Sequence, residues 1–362
     1  MSYKKYRTTL NDSDFINQYS IIKLIGQGGY GDIYKVFDTQ NIMKCAMKVE
    51  EIDCEKQALQ HEIDVLRNLH SQYFPQYIDS GKTLMYRYLV QDLYGPSFSS
   101  IRKYLPQHSF SASTVLRIGI EMLKAIKKLH QRGYIHRDIK PSNFLLRPSR
   151  KHPLVLIDFG LTLQFIDSDT NEEIEPRADP GFFGTVKYCS PNAHLGKELG
   201  RRDDLYSWFY SLIEMRAGSL PWSSKTCRDD VLSEKLMLDL TSLTKYFPKQ
   251  IISVYRIIRR LSRGEEPNYN LIMSFMVDAM KTCGAKWDDK FEWEFIDLST
   301  ISQIPIRYPS WDRMKVPKDL PRPIFPGTSG VTYYSSKNVN SSAPYSCHNH
   351  RYHNTSYVES FE

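Results

Sequence analysis

The string His136-Arg137-Asp138-Ile139-Lys140-Pro141-Ser142-Asn143 sets a carboxylate, an ammonium and an amide at fixed offsets, and Asp158 of Asp158-Phe159-Gly160 follows twenty residues after Asp138. Asp138 is suited to accept or orient the proton of a hydroxyl, and Lys140 to stabilise charge on a transferring phosphoryl group. Asn143 and Asp158 offer oxygen ligands of the kind magnesium takes. Phosphoryl transfer from ATP is mostly positioning and charge neutralisation, so it also needs backbone N–H groups and one fixed cation. Both have candidates. In the string from Gly26 to Gly31, Gly26, Gly28 and Gly31 let the backbone close over phosphates. Alone this string is equally a hairpin turn or a dinucleotide-binding turn. Lys48, in Cys45-Ala46-Met47-Lys48, alone reads as a surface strand residue, but Glu62 lies fourteen residues on, in a helical pattern. That step makes the pair a phosphate clamp and its anchor. His136 and Phe159 read as packing residues.

These groups need two kinds of scaffold. From Tyr19 to Val49, short runs rich in β-branched and aromatic residues alternate with turn signals, which predicts a β-rich small lobe. A helix is expected from about Cys54 to Leu69, with Leu59, Ile63 and Leu66 on one face and Glu62 beside them. From Ser111 the pattern turns to long helices, the clearest opening on a serine start signal, carrying Leu116, Ile120, Leu123 and Ile126 on one face and stopping at Gly133. The expected class is α+β, with a β-rich N-lobe over about 19–93 and a mainly helical C-lobe over about 94–298. An extension covers 1–18. The Pro, Ser, Tyr and Asn-rich stretch 299–362 has no sustained period and reads as a disordered tail.

A chain of 362 residues that is 41% hydrophobic is long enough for two lobes with real cores. The polar N-terminus lacks a signal-peptide core, and no apolar run approaches the ~18 residues of a membrane span. Six scattered cysteines without metal-ligand spacing suit reduced thiols in an intracellular setting, cytoplasmic or nuclear. The net charge of +7 comes with no nucleic-acid module, so it reads as a solvated surface. No nucleic acid and no membrane are expected as partners, and the chain reads as a monomer.

The glycine string, the catalytic string and Asp158-Phe159-Gly160 occur in the order of the eukaryotic protein-kinase signature set. Over roughly Ile21 to Ile296 the chain resembles the casein kinase I superfamily, most closely its tau-tubulin kinase branch. The most specific stretch runs from Gly184 to Trp222, where Ser190-Pro191-Asn192 stands in place of the motif that ends the activation segment in most protein kinases. Other matching stretches are Leu93 to Phe98 after the hinge, and Arg201 to Leu205 with Asp204 as the anchor of the catalytic loop.

The resemblance implies a bilobal fold, serine/threonine specificity and dependence on magnesium and ATP. It implies that the backbone of Asp92 and Tyr94 hydrogen-bonds adenine, and that Ile25, Ile33, Ala46, Leu145 and Ile157 sandwich the base. Gln91 stands before the hinge where the family is usually apolar. Phe183 and Lys187 replace two arginines of the branch. Lys187, Gly218 and Lys225 fall where the family contacts substrate phosphate, and with Arg201, Arg202 and Arg228 they suggest a basic face attractive to acidic or already phosphorylated peptides. Constitutive activity is also implied. The rival readings are a scaffold of the same fold without turnover, a small-molecule kinase, and a nucleic-acid binder. The complete set Lys48, Glu62, Asp138, Asn143 and Asp158 stands against the first, and the catalytic string with a helical substrate lobe against the second.

Overall fold

The computed structural model describes residues 9–28, 31–54, 58–301 and the strand 306–307. An antiparallel sheet forms the N-lobe from β1 (Phe15–Ile16), β2 (Tyr19–Gly28), β3 (Gly31–Asp38), β4 (Met43–Glu51), β5 (Tyr77–Lys82) and β6 (Tyr86–Asp92), in the order β1-β2-β3-β4-β6-β5. Between β4 and β5 lies helix α1 (Leu59–Asn68). The C-lobe carries α2 (Phe98–Lys103), α3 (Ala112–His130), the hairpin of β8 (Phe144–Leu146) and β9 (Leu154–Leu156), and the pair β7 (Tyr134–Ile135) with β10 (Leu163–Gln164). Helices α4 (Pro191–His194), α5 (Arg201–Ala217), α6 (Arg228–Leu236), α7 (Gln250–Arg260), α8 (Tyr269–Thr282) and α9 (Leu298–Ile301) complete it. Strand β11 (Ile306–Arg307) pairs in parallel with Gly26 and Gln27 of β2.

Helix α3 begins where its cap dictates: the Ser111 hydroxyl accepts from the Thr114 amide at 3.2 Å. Helix α1 starts later than the expected Cys54. The carboxylate of Glu50 at the end of β4 accepts from the amides of Ala58 and Leu59, at 2.9 and 3.2 Å, and so fixes the first turn there. At the N-terminal end the folded region begins before residue 19. Ile16 is buried in the sheet's own core beside Tyr19, Tyr34 and Val36, so part of the expected extension is strand. At the C-terminal end Ile301 is buried in the large core, and α9 takes up residues assigned to a tail; the rest of that stretch lies outside the described residues, β11 aside.

One apolar core serves both lobes. It runs from Leu59, Ile63 and Leu66 of α1 through Phe74, Leu89 and Phe159 to Leu123, Phe209 and Trp208 below. The side chain of Phe159 is 1% exposed and meets Phe74 edge-on at 5.6 Å. The packing that holds α1 therefore also holds the loop carrying Asp158.

Candidate active site

Strand β4 carries Lys48 between β3 and β6, paired with Ile33 on one side and Leu89 on the other. Its ammonium lies 2.6 Å from Glu62 Oε2 and 2.9 Å from Asp158 Oδ1. Burial works against the charge on Lys48, but the two carboxylates outweigh it and push its pKa up. Asp158 is held below the ordinary carboxylate range, since Lys48 overcomes the opposing effect of burial. The second oxygen of Glu62 accepts from the Phe159 amide at 3.2 Å. Lys48, Glu62 and Asp158 thus form one ionic bridge between the lobes.

Asp138 sits on a separate network. Its Oδ1 accepts from the Thr185 amide at 3.0 Å and from the Thr185 hydroxyl at 2.7 Å, while Lys140 Nζ lies 2.8 Å from Oδ2. Lys140 also donates to Thr185 Oγ1 at 2.9 Å. Asn143 donates through Nδ2 to the Asp138 carbonyl, leaving its buried Oδ1 without a hydrogen-bond partner. A buried, unsatisfied carbonyl oxygen is costly unless something fills its place. The open Oδ1 of Asn143 and the carboxylate of Asp158 are oxygen donors of the kind a hard divalent cation takes, with phosphate and water oxygens to complete its shell. Arg137 and Asp158 both have positive φ, at 66° and 70°, which places strained backbone at two positions of the site.

The catalytic string is held from below. The Asp204 carboxylate in the first turn of α5 accepts from the amides of His136 and Arg137, at 2.7 and 2.8 Å, and contacts the His130 ring at 2.9 Å. His136 is fully buried and meets the Ile157 carbonyl at 3.1 Å, a packing role like that of Phe159. The residues assigned to adenine fall on β2, β3, β4, β6 and β8 and on the segments just after β6 and β9. Gly26 pairs with Ile33 and Gly28 with Gly31, Ile25 falls at an irregularity of β2, and Ala46 pairs with Gln91. Leu145 is on β8, and the Ile157 amide donates to the Asn143 carbonyl. Asp92 ends β6 and accepts from the Tyr94 hydroxyl at 2.9 Å. Gly29 and Tyr30 of the glycine string lie outside the described residues.

The expected basic face is only partly assembled. Lys187 lies 2.5 Å from Glu214 Oε1, and Arg102 bonds the same oxygen at 3.0 Å while donating to the Gly218 carbonyl at 2.6 Å. Lys187 and Gly218 therefore share one network, in which two cations meet one buried carboxylate. Gly218 ends α5 with φ 83°, and a Cβ there would come 2.6 Å from the Gln107 carbonyl, so the backbone alone demands glycine. Lys225 is paired loosely with Glu234 at 3.6 Å, both partly exposed. Arg201 and Arg202 do not join this group. They donate to the carbonyls of Gly264 and Leu261, about 20 Å along α5 from Glu214 at 1.5 Å per residue. Arg228 donates to the carbonyls of Ala193 and His194.

Thr185 matters to this geometry and was not singled out in the sequence; its role shows only where its loop folds back on Asp138. Asn192, marked by its motif, donates through its amide to Asp203 Oδ1 at 2.8 Å, so Ser190-Pro191-Asn192 is anchored to α5 by a hydrogen bond.

A family model described as protein kinase domain matches residues 19–280. The chain belongs to the protein kinase family. A probable serine/threonine-protein kinase of Dictyostelium discoideum is 36% identical over 281 residues, 76% of this chain and 56% of that protein. The chain thus spans little more than half the length of this curated relative. Within the family match fall Lys48, Glu62, Asp138, Asn143 and Asp158, the residues whose side chains build the two networks above.

Proposed function

We propose that the protein is a serine/threonine kinase that transfers the γ-phosphoryl group of ATP to protein hydroxyls, within the casein kinase I superfamily and nearest its tau-tubulin kinase branch. One observation carries the reading: Asp138, Lys140 and Thr185 form a closed network beside the Lys48–Glu62–Asp158 bridge, with Asn143 Oδ1 left open. In this reading Asp138 takes the hydroxyl proton as the hydroxyl oxygen bonds to phosphorus and the bond to the leaving diphosphate breaks. Lys140 neutralises the charge that develops, and Lys48 holds the nucleotide phosphates. Asn143 and Asp158 hold magnesium, which supplies charge neutralisation to the phosphates when bound.

Two finer features belong to the same proposal. The first is turnover without activation-loop phosphorylation. The Arg137 guanidinium lies 3.9 Å from the centre of the buried Phe183 ring and donates to the Leu161 carbonyl at 2.5 Å, so an aromatic face and a carbonyl stand where a phosphate would otherwise be recruited. The second is a preference for acidic or phosphorylated residues N-terminal to the acceptor, modest in size because Glu214 already partners Lys187. We place the enzyme inside the cell, in cytoplasm or nucleus, as a monomer. Among the described residues no helix is long and apolar enough to cross a membrane.

The deciding experiment offers ATP, magnesium and a pair of peptides that differ only in Ser or phosphoserine three residues before the acceptor. Transfer to serine is expected, with kcat/KM about tenfold higher for the phosphorylated peptide. No transfer to either peptide or to a denatured-protein mixture overturns the reading, and equal rates overturn the preference alone.

A further inference from the structure

Helix α6 carries a lysine that the chemistry above does not use. Lys235 is 1% exposed, yet among the described residues no carboxylate pairs with it. Its Nζ donates to the carbonyls of Val186 and Cys189, both at 2.7 Å, and lies 3.1 Å from His194 Nε2. The two carbonyls and the ring nitrogen, with Cys189 Sγ at 3.9 Å beyond them, offer a partner for each N–H of an ammonium when the Nε2 lone pair faces Nζ; a neutral amine has only two N–H bonds to give. The rings of Tyr210 and Trp222 lie 5.3 and 5.4 Å from the nitrogen and supply the remaining favourable contact to the cation.

The groups bound by Lys235 belong to one short segment. Thr185, which bonds Asp138 through both its amide and its hydroxyl, precedes Val186 directly, and His194 ends α4. The Lys187 carbonyl, between the two carbonyls held by Lys235, accepts from Trp222 Nε1 at 2.8 Å. Gly184 enters this segment at φ 95°, where a Cβ would meet the Arg137 carbonyl at 2.5 Å, so the loop is pressed against the catalytic string. An acceptor hydroxyl that reaches Asp138 must bring its flanking residues against this same segment.

We propose that Lys235 is a positioning residue for the protein substrate, a buried ammonium that holds the 185–194 segment in the shape a peptide must meet beside Asp138. The inference rests on the kinase reading above. It accounts for a buried charge that otherwise carries a desolvation cost with no compensating ion pair among the described residues. Burial lowers the pKa of Lys235 to about 8. The titratable groups around it do not share that range. Burial raises the Cys189 thiol and lifts Tyr210 well above its ordinary value, and burial with the charges of Lys235 and Arg228 lowers His194 to about 3. The Arg228 guanidinium lies 4.2 Å from the centre of the Phe182 ring. Deprotonation of Lys235 therefore replaces three charge-assisted bonds by at most two weaker ones as the pH passes about 8.

The test compares the full chain with Lys235→Met, measuring KM for a serine peptide and for ATP across roughly pH 6.5 to 9.5, together with amide exchange of Tyr188 and Cys189. Both amides donate to the Thr185 carbonyl and report on the loop without turnover. The variant is expected to raise the peptide KM about tenfold while the ATP KM stays within about twofold. In the parent chain, kcat/KM for peptide should fall through one ionisation near pH 8 that the variant lacks, and the two amides should exchange faster in the variant. An active variant with unchanged peptide KM and pH profile overturns the inference. Should the variant not fold, a parent profile flat through pH 9 overturns it equally. If the parent transfers no phosphate at all, the kinase reading fails, and unaltered amide protection in the variant then defeats the loop assignment separately.

Discussion

Asp203 and Asp204 are neighbours in the first turn of α5, and each ties down a different loop. Asp204 holds the amides of His136 and Arg137. Asp203 accepts from the Gly200 amide at 2.8 Å and from Asn192 at 2.8 Å, holding the segment after Thr185. One helical turn thus sets the distance between the Asp138 loop and the segment after Thr185. Asp204 is kept below the ordinary carboxylate range, as the His130 ring and the loop amides overcome its burial, whereas for Asp203 burial prevails and the pKa is raised.

Asp204→Ala should cost about 2–4 kcal/mol of stability, because it strands two buried amide donors, and should lower kcat steeply. Asp203→Ala should instead act mainly on the peptide KM. Chemical denaturation alongside peptide kinetics separates the two; identical kinetic profiles would dismiss the division of labour between them.

The pH dependence follows from the same residue. A carboxylate whose folded pKa lies below its unfolded value near 3.9 adds stability that is fully present above about pH 4 and is lost as pH falls through the folded pKa. Asp204→Asn should therefore lose less stability than the parent chain between about pH 4 and pH 2, a difference measurable by thermal melts in acid. Parallel acid profiles would contradict the depressed pKa.

Asp138→Asn is expected to lower turnover by about 10²-fold or more while leaving the fold intact, since the amide can still accept from Thr185. Lys48→Met behaves differently. It leaves Glu62 and Asp158 buried without their cation, so a loss of about 3–5 kcal/mol should accompany the loss of turnover. Parent-like rates for purified Asp138→Asn would remove this residue from the mechanism.

For Asn143→Ala the expectation is a rise of about tenfold or more in the magnesium concentration that gives half-maximal rate, because one of two oxygen ligands is gone. Titration of the rate with the metal at fixed ATP checks this. An unchanged midpoint would assign the orphaned Oδ1 of Asn143 some other purpose.

Phosphatase-treated protein should keep its turnover within about twofold, while Phe183→Ala, which strips the ring from Arg137, should lose most of it. Activity that returns only after treatment with another kinase would overturn the first expectation.

The order of the glycine, catalytic and Asp158 strings made the two-lobed fold and the core of the site readable, because phosphoryl transfer fixes both residue types and spacing. Ser111 likewise marked the start of α3 through its own hydroxyl. The start of α1 was not readable, since its cap, Glu50, belongs to a strand eight residues away and looks like any surface carboxylate. Ile16 and Ile301 lie in stretches whose polar neighbours hide a single buried side chain. Lys187 was assigned from its position in a motif, but its partner Glu214 is a helical residue 27 positions on that only packing brings near. Lys235, between Glu234 and Leu236, has the local pattern of a solvated helix and shows its burial only against Tyr210 and Trp222.

Helix α1 is fastened along its whole length: Glu50 at its first turn, Glu62 on Lys48, the His61 ring 2.7 Å from the Thr162 carbonyl, and Arg67 on the hydroxyls of Tyr77 and Ser80 at its last. It is a strut rather than a lever. Glu62 stands on Lys48 in the folded chain without a ligand, so in the proposed kinase a nucleotide would meet a clamp already closed, and its apparent affinity would carry no reduction for a competent state that is rarely visited. On the function proposed above, control would act on what enters the cleft, not on whether the cleft is assembled.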